Sequence, residues 1–458
     1  MFGQMLSIAR NTFVEAIRQP IYFVLILSGC LLQPFNVLLS AYSMDYTEEG
    51  LQVQKDNKLL LDMGLATVLV VSTLLAAFIA TNVLSKEIEN KTALTVISKP
   101  VGRPVFIIGK FAGVSAAMTM AFVTMLAFFL LAMRHEVMST ARDTLNWSVL
   151  LTGGGALIVS VMAGIWGNFF YGWVFSSTAT RVLAPLAVGA WALTLLVGRT
   201  FGIHDFSAES YVVEIVQPQV LLAAGCVLLA MLVLTALAVC VSTRFGQVMT
   251  IVICGAVFMM GLMSNYLLGR YAFVNEHFAV VEAVSIQYDD DTIHQAGDTV
   301  LMELTANPTV DLRPGTPVYF GPSPNGVALA VPSHQPFRGD VTRPTDVVDP
   351  DRFGRSLAVL NFDAEARELE LINAGGLPVA RMPQEGDYLF AQPTQHSLPA
   401  LAAWSVVPNL QSFWLVDAIT QGHEIPARYI WLMLIYTALQ VTGLLTLAIM
   451  LFQTRDVG

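Results

Sequence analysis

The sequence predicts an all-α polytopic membrane protein with about eight transmembrane helices and one β-rich extracytoplasmic domain inserted before the last helix. The chain of 458 residues is 55% hydrophobic and only 13% charged, with a mean hydropathy of +0.62. A soluble protein carries about 25% charged residues, so lipid must replace water over much of this surface. Long apolar runs occupy most of the chain, and one acidic region interrupts them near the end.

Eight apolar runs are long enough to cross a bilayer, because about 20 residues at 1.5 Å per residue span a hydrocarbon core of about 30 Å. They cover residues 21–43, 62–84, 105–132, 148–173, 182–199, 218–241, 246–268 and 429–452. The fourth and fifth are ambiguous, since their glycines and the polar stretch between them also suit one span with a re-entrant piece. Residues 21–270 are therefore predicted to hold seven spans, and residues 428–458 the last helix and a tail.

Residues 1–20 are predicted to form an amphipathic helix in the membrane interface. Phe13 and other apolar residues recur at helical spacing, whereas Arg10 and Arg18 fall on the opposite side. Pro20 ends this helix at the mouth of the first span. The pattern alone also suits an ordinary cytoplasmic lead-in.

Basic residues set the predicted orientation, since Lys and Arg flank the cytoplasmic ends of spans. They cluster before the first span, after the second and at later even-numbered exits, although Arg134, Arg142, Arg199 and Arg270 fall outside. Both termini are therefore expected in the cytoplasm and residues 271–427 outside it. The first span is expected to act as an uncleaved insertion signal.

The loop at residues 85–104, SKEIENKTALTVISKPVGRP, differs in kind from the mildly acidic first loop. It begins with mixed charge, continues through a short amphipathic stretch and meets Pro100 and Pro104. Lys110 follows in the next span. The pattern predicts a short helix that a proline stops and that basic residues anchor at the headgroups. The alternative is that these residues simply anchor two spans.

Residues 271–427 are predicted to form the extracytoplasmic β-rich domain, because alternating stretches such as GRSLAVLNFDAEARELELINA are separated by turn residues. The segment holds 20 acidic residues, seven arginines and no lysine. This charge argues against nucleic-acid binding. Asp289, Asp290 and Asp291 could attract a cation, but such a triplet is usually a solvated turn, and no calcium-loop spacing supports a site.

The sequence lacks the motifs of catalysis, so no catalytic residue, metal or bound cofactor is predicted for this chain. It contains no G-x-x-x-x-G-K-[ST] phosphate loop, no H-E-x-x-H and no G-x-S-x-G. The seven histidines are scattered, and the four cysteines fall in predicted spans, where a thiol packs as a small apolar group. Few ionisable residues lie inside the spans, which argues against ion-coupled transport.

Three segments resemble the membrane subunits of ATP-binding-cassette (ABC) transporters of the second, export-type class. The first pairs IARNTFVEAIRQPIY with the loop SKEIENKTALTVISKPVGRPVFIIGKF, which carries an acidic residue, a Thr, an [ST]-K-P-[VI]-x-R stretch and a G-K, as in that family. The second is ALAVCVSTRFGQVMTIVICGAVFMMGLMSNY, and the third joins VPNLQSFWLVDAIT to the C-terminal FQTRDVG. The family core has six spans, so an extra pair near residues 148–199 and the large outer segment are departures.

The resemblance implies an ABC type-2 permease that exports a substrate across the bacterial plasma (inner) membrane, as a homodimer or related heterodimer. A separate cytoplasmic ATPase subunit would bind ATP and Mg and hydrolyse the ATP. Family members dock on that ATPase with a coupling helix in the second loop and an N-terminal connecting helix. The implied interface residues are Glu87, Glu89, Lys91, Thr92, Lys99, Pro100 and Arg103 in the loop, and Arg10, Phe13 and Arg18 in the helix.

Polar residues within the spans are predicted to line a substrate path, although such residues more often join helices. They are Ser72, Asn82, Thr124, Asn168 and Gln440. A second hypothesis is an ATPase-coupled scaffold that transmits force to its outer domain and moves no solute, which the large β-rich domain favours. A third is a polytopic membrane protein without an ATPase partner, in which changes within the 85–104 loop have no effect.

Overall fold

The computed structural model describes residues 2–40, 49–85, 102–138, 144–199, 201–202, 216–286, 295–325, 329–379, 381–420 and 425–453. The chain forms two compact units. The helical unit comprises Met1–Leu262 and Pro408–Gly458, and the sheet unit comprises Met263–Val407.

The helices follow the apolar runs of the sequence. They are α1 (Phe2–Arg18), α2 (Pro20–Ser40), α3 (Glu49–Ala80, continued by a π-helical turn Thr81–Ser85), α4 (Arg103–His135), α5 (Trp147–Tyr171), α6 (Phe175–Leu196), α7 (Pro218–Ser242), α8 (Gln247–Leu262), α9 (Arg270–Ala272, after a π-helical turn Asn265–Gly269), α10 (Pro344–Val347), α11 (Pro350–Phe353), α12 (Leu398–Val406), α13 (Val416–Thr420) and α14 (Ala427–Gln453). Among the described residues, seven helices are long and apolar enough to cross a membrane, or eight if α8 and its bent continuation Asn265–Ala272 form one span. The prediction of a helical membrane protein with about eight spans is confirmed.

The ambiguous stretch at residues 148–199 forms two helices joined by a tight turn. The side chain of Asn146 caps the start of α5 by accepting a hydrogen bond from the amide of Val149 at 3.2 Å. Gly172 ends α5 with φ +65°, a left-handed conformation that favours glycine. The amides of Gly172 and Trp173 return to carbonyls of the last turn of α5. Since α5 and α6 are each long and apolar enough to cross a membrane, this stretch can supply two spans.

The spans of the helical unit differ in how deeply they are enclosed. In α3, α4 and α7, 67% of the most apolar stretch is buried within the protein, whereas in α14 only 11% is buried. The core at their centre includes Tyr22, Phe106, Phe122 and Phe129, all almost fully buried. The outer faces are apolar as well, because lipid rather than water covers them.

The sheet unit is built on six antiparallel strands in the order β4-β7-β2-β3-β6-β5. The strands are β1 (Phe273–Val274), β2 (His277–Ile286), β3 (Thr299–Leu304), β4 (Tyr319–Gly321), β5 (Ser356–Asp363), β6 (Glu368–Ala374), β7 (Tyr388–Phe390) and β8 (Gln395–His396), with β1 and β8 forming a separate pair. Phe320, Phe390 and Leu371 lie in its core. The predicted β-rich region before the last helix is confirmed.

The segment from Pro408 onwards belongs to the helical unit, although the sequence assigned residues up to 427 to the outer domain. The amide of Leu410 donates to the carbonyl of Gly261 on α8 at 3.1 Å. The amide of Asn409 donates to the hydroxyl of Tyr436 on α14 at 2.9 Å. Phe413 is buried in the core of the helices. These contacts tie the segment to the spans.

Candidate functional site

The loop predicted to dock on the ATPase lies between α3 and α4. Most of its predicted interface residues, namely Glu87, Glu89, Lys91, Thr92, Lys99 and Pro100, lie outside the described residues. Arg103 is described and is the first residue of α4. The structure describes the start of α4 and the segments linked to it. We call this set the base: the first turns of α4, α1, the start of α6 and the end of α14.

Two glycines of α4 form the seat for α1. A Cβ atom at Gly113 would lie 2.6 Å from Cβ of Thr12, and one at Gly109 would lie 2.9 Å from Cγ2 of Ile8. Real Cβ atoms do not approach so closely, so the two helices meet at these positions only because side chains are absent. The spacing Gly-x-x-x-Gly is the small-residue pattern that brings membrane helices together. Helix α1 is thus held directly against the start of α4.

Lys110 lies between the two glycines and is buried, whereas the sequence suggested an anchor in the headgroup region. Its Nζ atom lies 3.7 Å from Oε2 of Glu15 on α1 and 5.7 Å from the ring centroid of Phe106. The Lys110 side chain is 4% exposed and that of Glu15 37%. The carboxylate supplied by α1 explains the difference, because a buried ammonium needs a partner of opposite charge.

The far end of α1 is fixed to α6. The hydroxyl of Ser176 donates to the carbonyl of Arg18 at 2.7 Å and approaches the carbonyl of Ile17 at 3.3 Å. The last carbonyls of a helix have no partner within it, so Ser176 fills that role. Of the residues predicted on α1, Arg10 and Arg18 are exposed, and Phe13 is half-buried against the core.

Arg103 makes a contact that the sequence did not suggest. Its Nη1 atom donates to the carbonyl oxygen of Gln453, near the end of α14, at 2.7 Å. One turn further along α4, the ring of Phe106 stacks on Phe452 with centroids 5.7 Å apart. The start of α4 therefore contacts α14 as well as α1.

The five residues predicted to line a path lie on five different helical elements, and their role stays a prediction. Thr124 is buried and its hydroxyl donates to the carbonyl of Met120 in its own helix at 2.7 Å. Asn168 is exposed in the last turn of α5, where its amide donates to the carbonyl of Trp173 in the following turn. Ser72 is buried in α3, Asn82 lies in the π-helical turn after α3, and Gln440 lies near the Tyr436 hydroxyl on α14.

Several cavities open within the described part of the helical unit, and the two larger ones are as follows. One of about 340 Å³ lies between α2, α4 and α5, where Pro34, Phe128 and Gly153 contribute to an almost wholly apolar wall. The other, of about 450 Å³, is walled by α3, α8 and the segment that contains Trp414 and Asp417. Neither is lined by any of the five predicted path residues.

A buried polar network between α2 and α3 was missed by the sequence analysis. Nε2 of Gln33 donates to the carbonyl of Gly64 at 3.2 Å, and Nδ2 of Asn36 donates to Oγ1 of Thr67 at 3.0 Å. The signal was the Q-P-F-N stretch inside an apolar run, since amides in a span need partners on neighbouring helices. Pro34 separates the two amides within α2.

Taken together, the geometry defines a multi-pass helical membrane protein whose N-terminal helix packs closely against the start of α4. Residues 6–180, from α1 into α6, match the family model described as ABC-2 family transporter protein. The chain thus carries an ABC-2 transporter membrane domain, as ABC type-2 permeases do, and the resemblance found in the sequence is confirmed. A search of curated proteins finds no match, and a search of solved structures finds none.

Proposed function

We propose that this chain is the permease subunit of an ABC exporter and that a separate ATPase subunit docks on the 85–104 loop and on α1. The observation that carries the proposal is the close packing of α1 on α4 at Gly109 and Gly113, directly after the loop. A force applied to α1 would reach α4 directly, because no side chain at Gly109 or Gly113 separates the two helices.

The charges at this base suit a protein partner in the cytoplasm. Arg10 and Arg18 are exposed on α1, while the loop offers Glu87, Glu89 and Lys91 in mixed sign. Electrostatic complementarity of this kind gives specificity and a fast association rate rather than high affinity. ATP and Mg would be bound by the partner, and two permease subunits, identical or related, would enclose the path.

The proposed location is the bacterial plasma (inner) membrane, with both termini in the cytoplasm and the sheet unit outside. The concentration of Lys and Arg near the 85–104 loop supports this orientation, since basic loops are retained in the cytoplasm. The acidic, lysine-free composition of residues 271–427 agrees with it.

Affinity purification of the detergent-solubilised chain tests the docking. Wild type is compared with Glu89→Arg, which reverses one charge in the loop, and with Glu365→Arg, which makes the same change at an exposed turn after β5. An ATPase with a phosphate-loop motif should co-purify with wild type and the control, and at least about tenfold less with Glu89→Arg. If no such ATPase is recovered with wild type, or if Glu89→Arg retains it fully, the proposal is wrong.

The second candidate is the ATPase-coupled scaffold that moves no solute. It is favoured by the sheet unit, which has its own core and lies outside the segment that matches the family model. Metabolite profiles separate the two functions. Cells whose partner ATPase is catalytically inactive accumulate the substrate in the cytoplasm if the protein is an exporter, whereas a scaffold leaves cytoplasmic metabolites unchanged.

A further inference from the structure

Arg103 contacts the last span. Its guanidinium donates to the carbonyl of Gln453 at 2.7 Å, although the two residues are 350 positions apart in the sequence. Carbonyls in the last turn of a helix lack intrahelical partners, and a positive charge there is also favoured by the helix dipole. This contact joins the first residue of α4 to the last described residue of α14.

Two further residues continue this contact along the same face of α4. Phe106 and Lys110 follow Arg103 at intervals of three and four, the spacing of neighbours on one side of a helix. Phe106 stacks on Phe452 at an interplanar angle of 20°, and both rings are almost fully buried. Lys110 covers Phe106 and pairs with Glu15 on α1. One stripe of α4 therefore joins α14 on one side and α1 on the other.

The last span is suited to being moved by such a contact. Only 11% of the apolar stretch of α14 is buried, so it is the least enclosed of the seven long apolar helices. Helix α14 packs along α7, and at its C-terminal end it also contacts α4 through Arg103 and Phe106. Its remaining faces are open, so it can move together with these two helices.

We propose that the stripe Arg103, Phe106 and Lys110 transmits motion of the docking loop to α14, and that Arg103 is a positioning residue and not a contact of the ATPase. This inference rests on the proposed function, because it requires an ATPase that moves the loop. It departs from the expectation that Arg103 belongs to the docking surface.

The test uses the full chain, co-purified with its ATPase, as wild type and as two variants at one position, Arg103→Gln and Arg103→Lys. A second substitution, Leu439→Cys, places a thiol on the exposed face of α14, and Phe169→Cys places a control thiol on the exposed end of α5. The first measurement is the amount of ATPase recovered. The second is the maleimide labelling rate of each thiol with and without ATP and vanadate, corrected for the four native cysteines, which are buried.

We expect Arg103→Gln to recover an amount of ATPase within twofold of wild type. The ATP-dependent change in the labelling rate at Leu439→Cys should be at least fivefold smaller than in wild type. Arg103→Lys should restore most of that change, since it keeps a long, charged donor for the Gln453 carbonyl, whereas Gln offers only a shorter, neutral one. Labelling at Phe169→Cys should be unaffected by either variant.

The outcomes separate this inference from the proposed function. If wild type recovers no ATPase, the proposed function fails and the inference falls with it. If wild type recovers the ATPase but Arg103→Gln loses it, Arg103 is a docking contact and only the inference is overturned. If the ATPase is retained and the labelling at Leu439→Cys is insensitive to ATP in wild type, or unchanged by Arg103→Gln, transmission through this stripe is excluded.

Discussion

The helical unit and the sheet unit satisfy their buried polar groups in different ways. In the helical unit, many hydroxyls donate to carbonyls of their own helix, as Thr73 does to Leu69 and Thr235 to Met231, although Gln33 and Ser176 bond to neighbouring helices. In the sheet unit, buried polar side chains fix loops, as Arg381 does with Asp387. A helix in lipid must satisfy its polar groups internally, whereas a sheet leaves its loops to be held by side chains. Losing a polar group should therefore cost much more in the sheet unit.

The largest effect is expected at the buried ion pair of the sheet unit. Arg381 donates to both carboxylate oxygens of Asp387 at 2.8 and 2.6 Å, and the Asp387 side chain is only 4% exposed. Arg381→Met leaves that carboxylate with the amide of Gln384 as a remaining donor. The free energy of unfolding of the sheet unit should fall by about 3 to 5 kcal/mol, measured by calorimetry of the detergent-solubilised chain.

The matched control for this pair is Arg313→Met. Arg313 pairs with Asp311 at 3.0 Å, but both side chains are more than three-quarters exposed. An exposed pair contributes about 0 to 1 kcal/mol, so this variant should unfold almost as wild type does. Equal losses in the two variants would mean that burial of Asp387 has no energetic consequence and that the comparison between the units is wrong.

In the helical unit, the largest effect should come from backbone packing rather than from a polar group. A Cβ at Gly113 would lie 2.6 Å from Cβ of Thr12, so Gly113→Val must push α1 away from α4. We expect a loss of about 1 to 3 kcal/mol in stability, as for other overpacked sites, together with loss of the co-purified ATPase. Both are measured on the same preparation.

Gly154→Val is the matched control for Gly113→Val, because both glycines lie within long helices and nothing lies within 4 Å of a Cβ at Gly154. It carries the same cost in helix propensity without the clash. If the two variants lose the co-purified ATPase to the same extent, the close packing of α1 on Gly113 is not what positions α1 for docking.

The sequence predicts the spans well because crossing a membrane depends on a local sum of apolar residues. The run at 105–132 is found in α4 (Arg103–His135), and that at 429–452 in α14 (Ala427–Gln453). The sheet was predictable for a similar reason, since alternation in stretches such as β5 and β6 is also a local pattern.

Contacts between distant segments could not be predicted in the same way. Gly109 and Gly113 have the spacing of a helix-packing motif, but the sequence around them does not indicate that α1 is the helix that packs there. Arg103 matched the family pattern for a docking loop, yet its hydrogen bond goes to Gln453. Burial of Lys110 depends on Glu15, which reaches it only once α1 has packed. The roles of the loop residues from Glu87 to Pro100 stay predictions.

A smaller effect is expected at Asn373, at the end of β6. Its amide donates to the carbonyl of Leu377 at 3.0 Å and its Oδ1 accepts from the Leu377 amide at 2.7 Å. This closes a turn in which Gly375 has φ +79°. Asn373→Ala leaves two buried backbone groups without these bonds and should cost about 1 to 2 kcal/mol, measured by the same calorimetry. Asn361→Ala, at an exposed position of β5, should cost less than half as much; a larger loss there would contradict the assignment.

The smallest effect is expected at Thr124, and it tests whether a buried hydroxyl in a span marks a substrate path. Its bond returns to Met120 in the same helix, so Thr124→Val removes one self-contained bond at nearly constant volume. Stability should change by less than about 0.5 kcal/mol. Ser72 is the informative contrast, because its buried hydroxyl has no hydrogen-bond partner in the described part of the chain. If Ser72→Ala lowers ATP-dependent transport and Thr124→Val does not, the substrate path is marked by hydroxyls that lack a hydrogen-bond partner within the protein. If both variants lower transport, hydroxyls that are bonded within their own helix also contact the substrate.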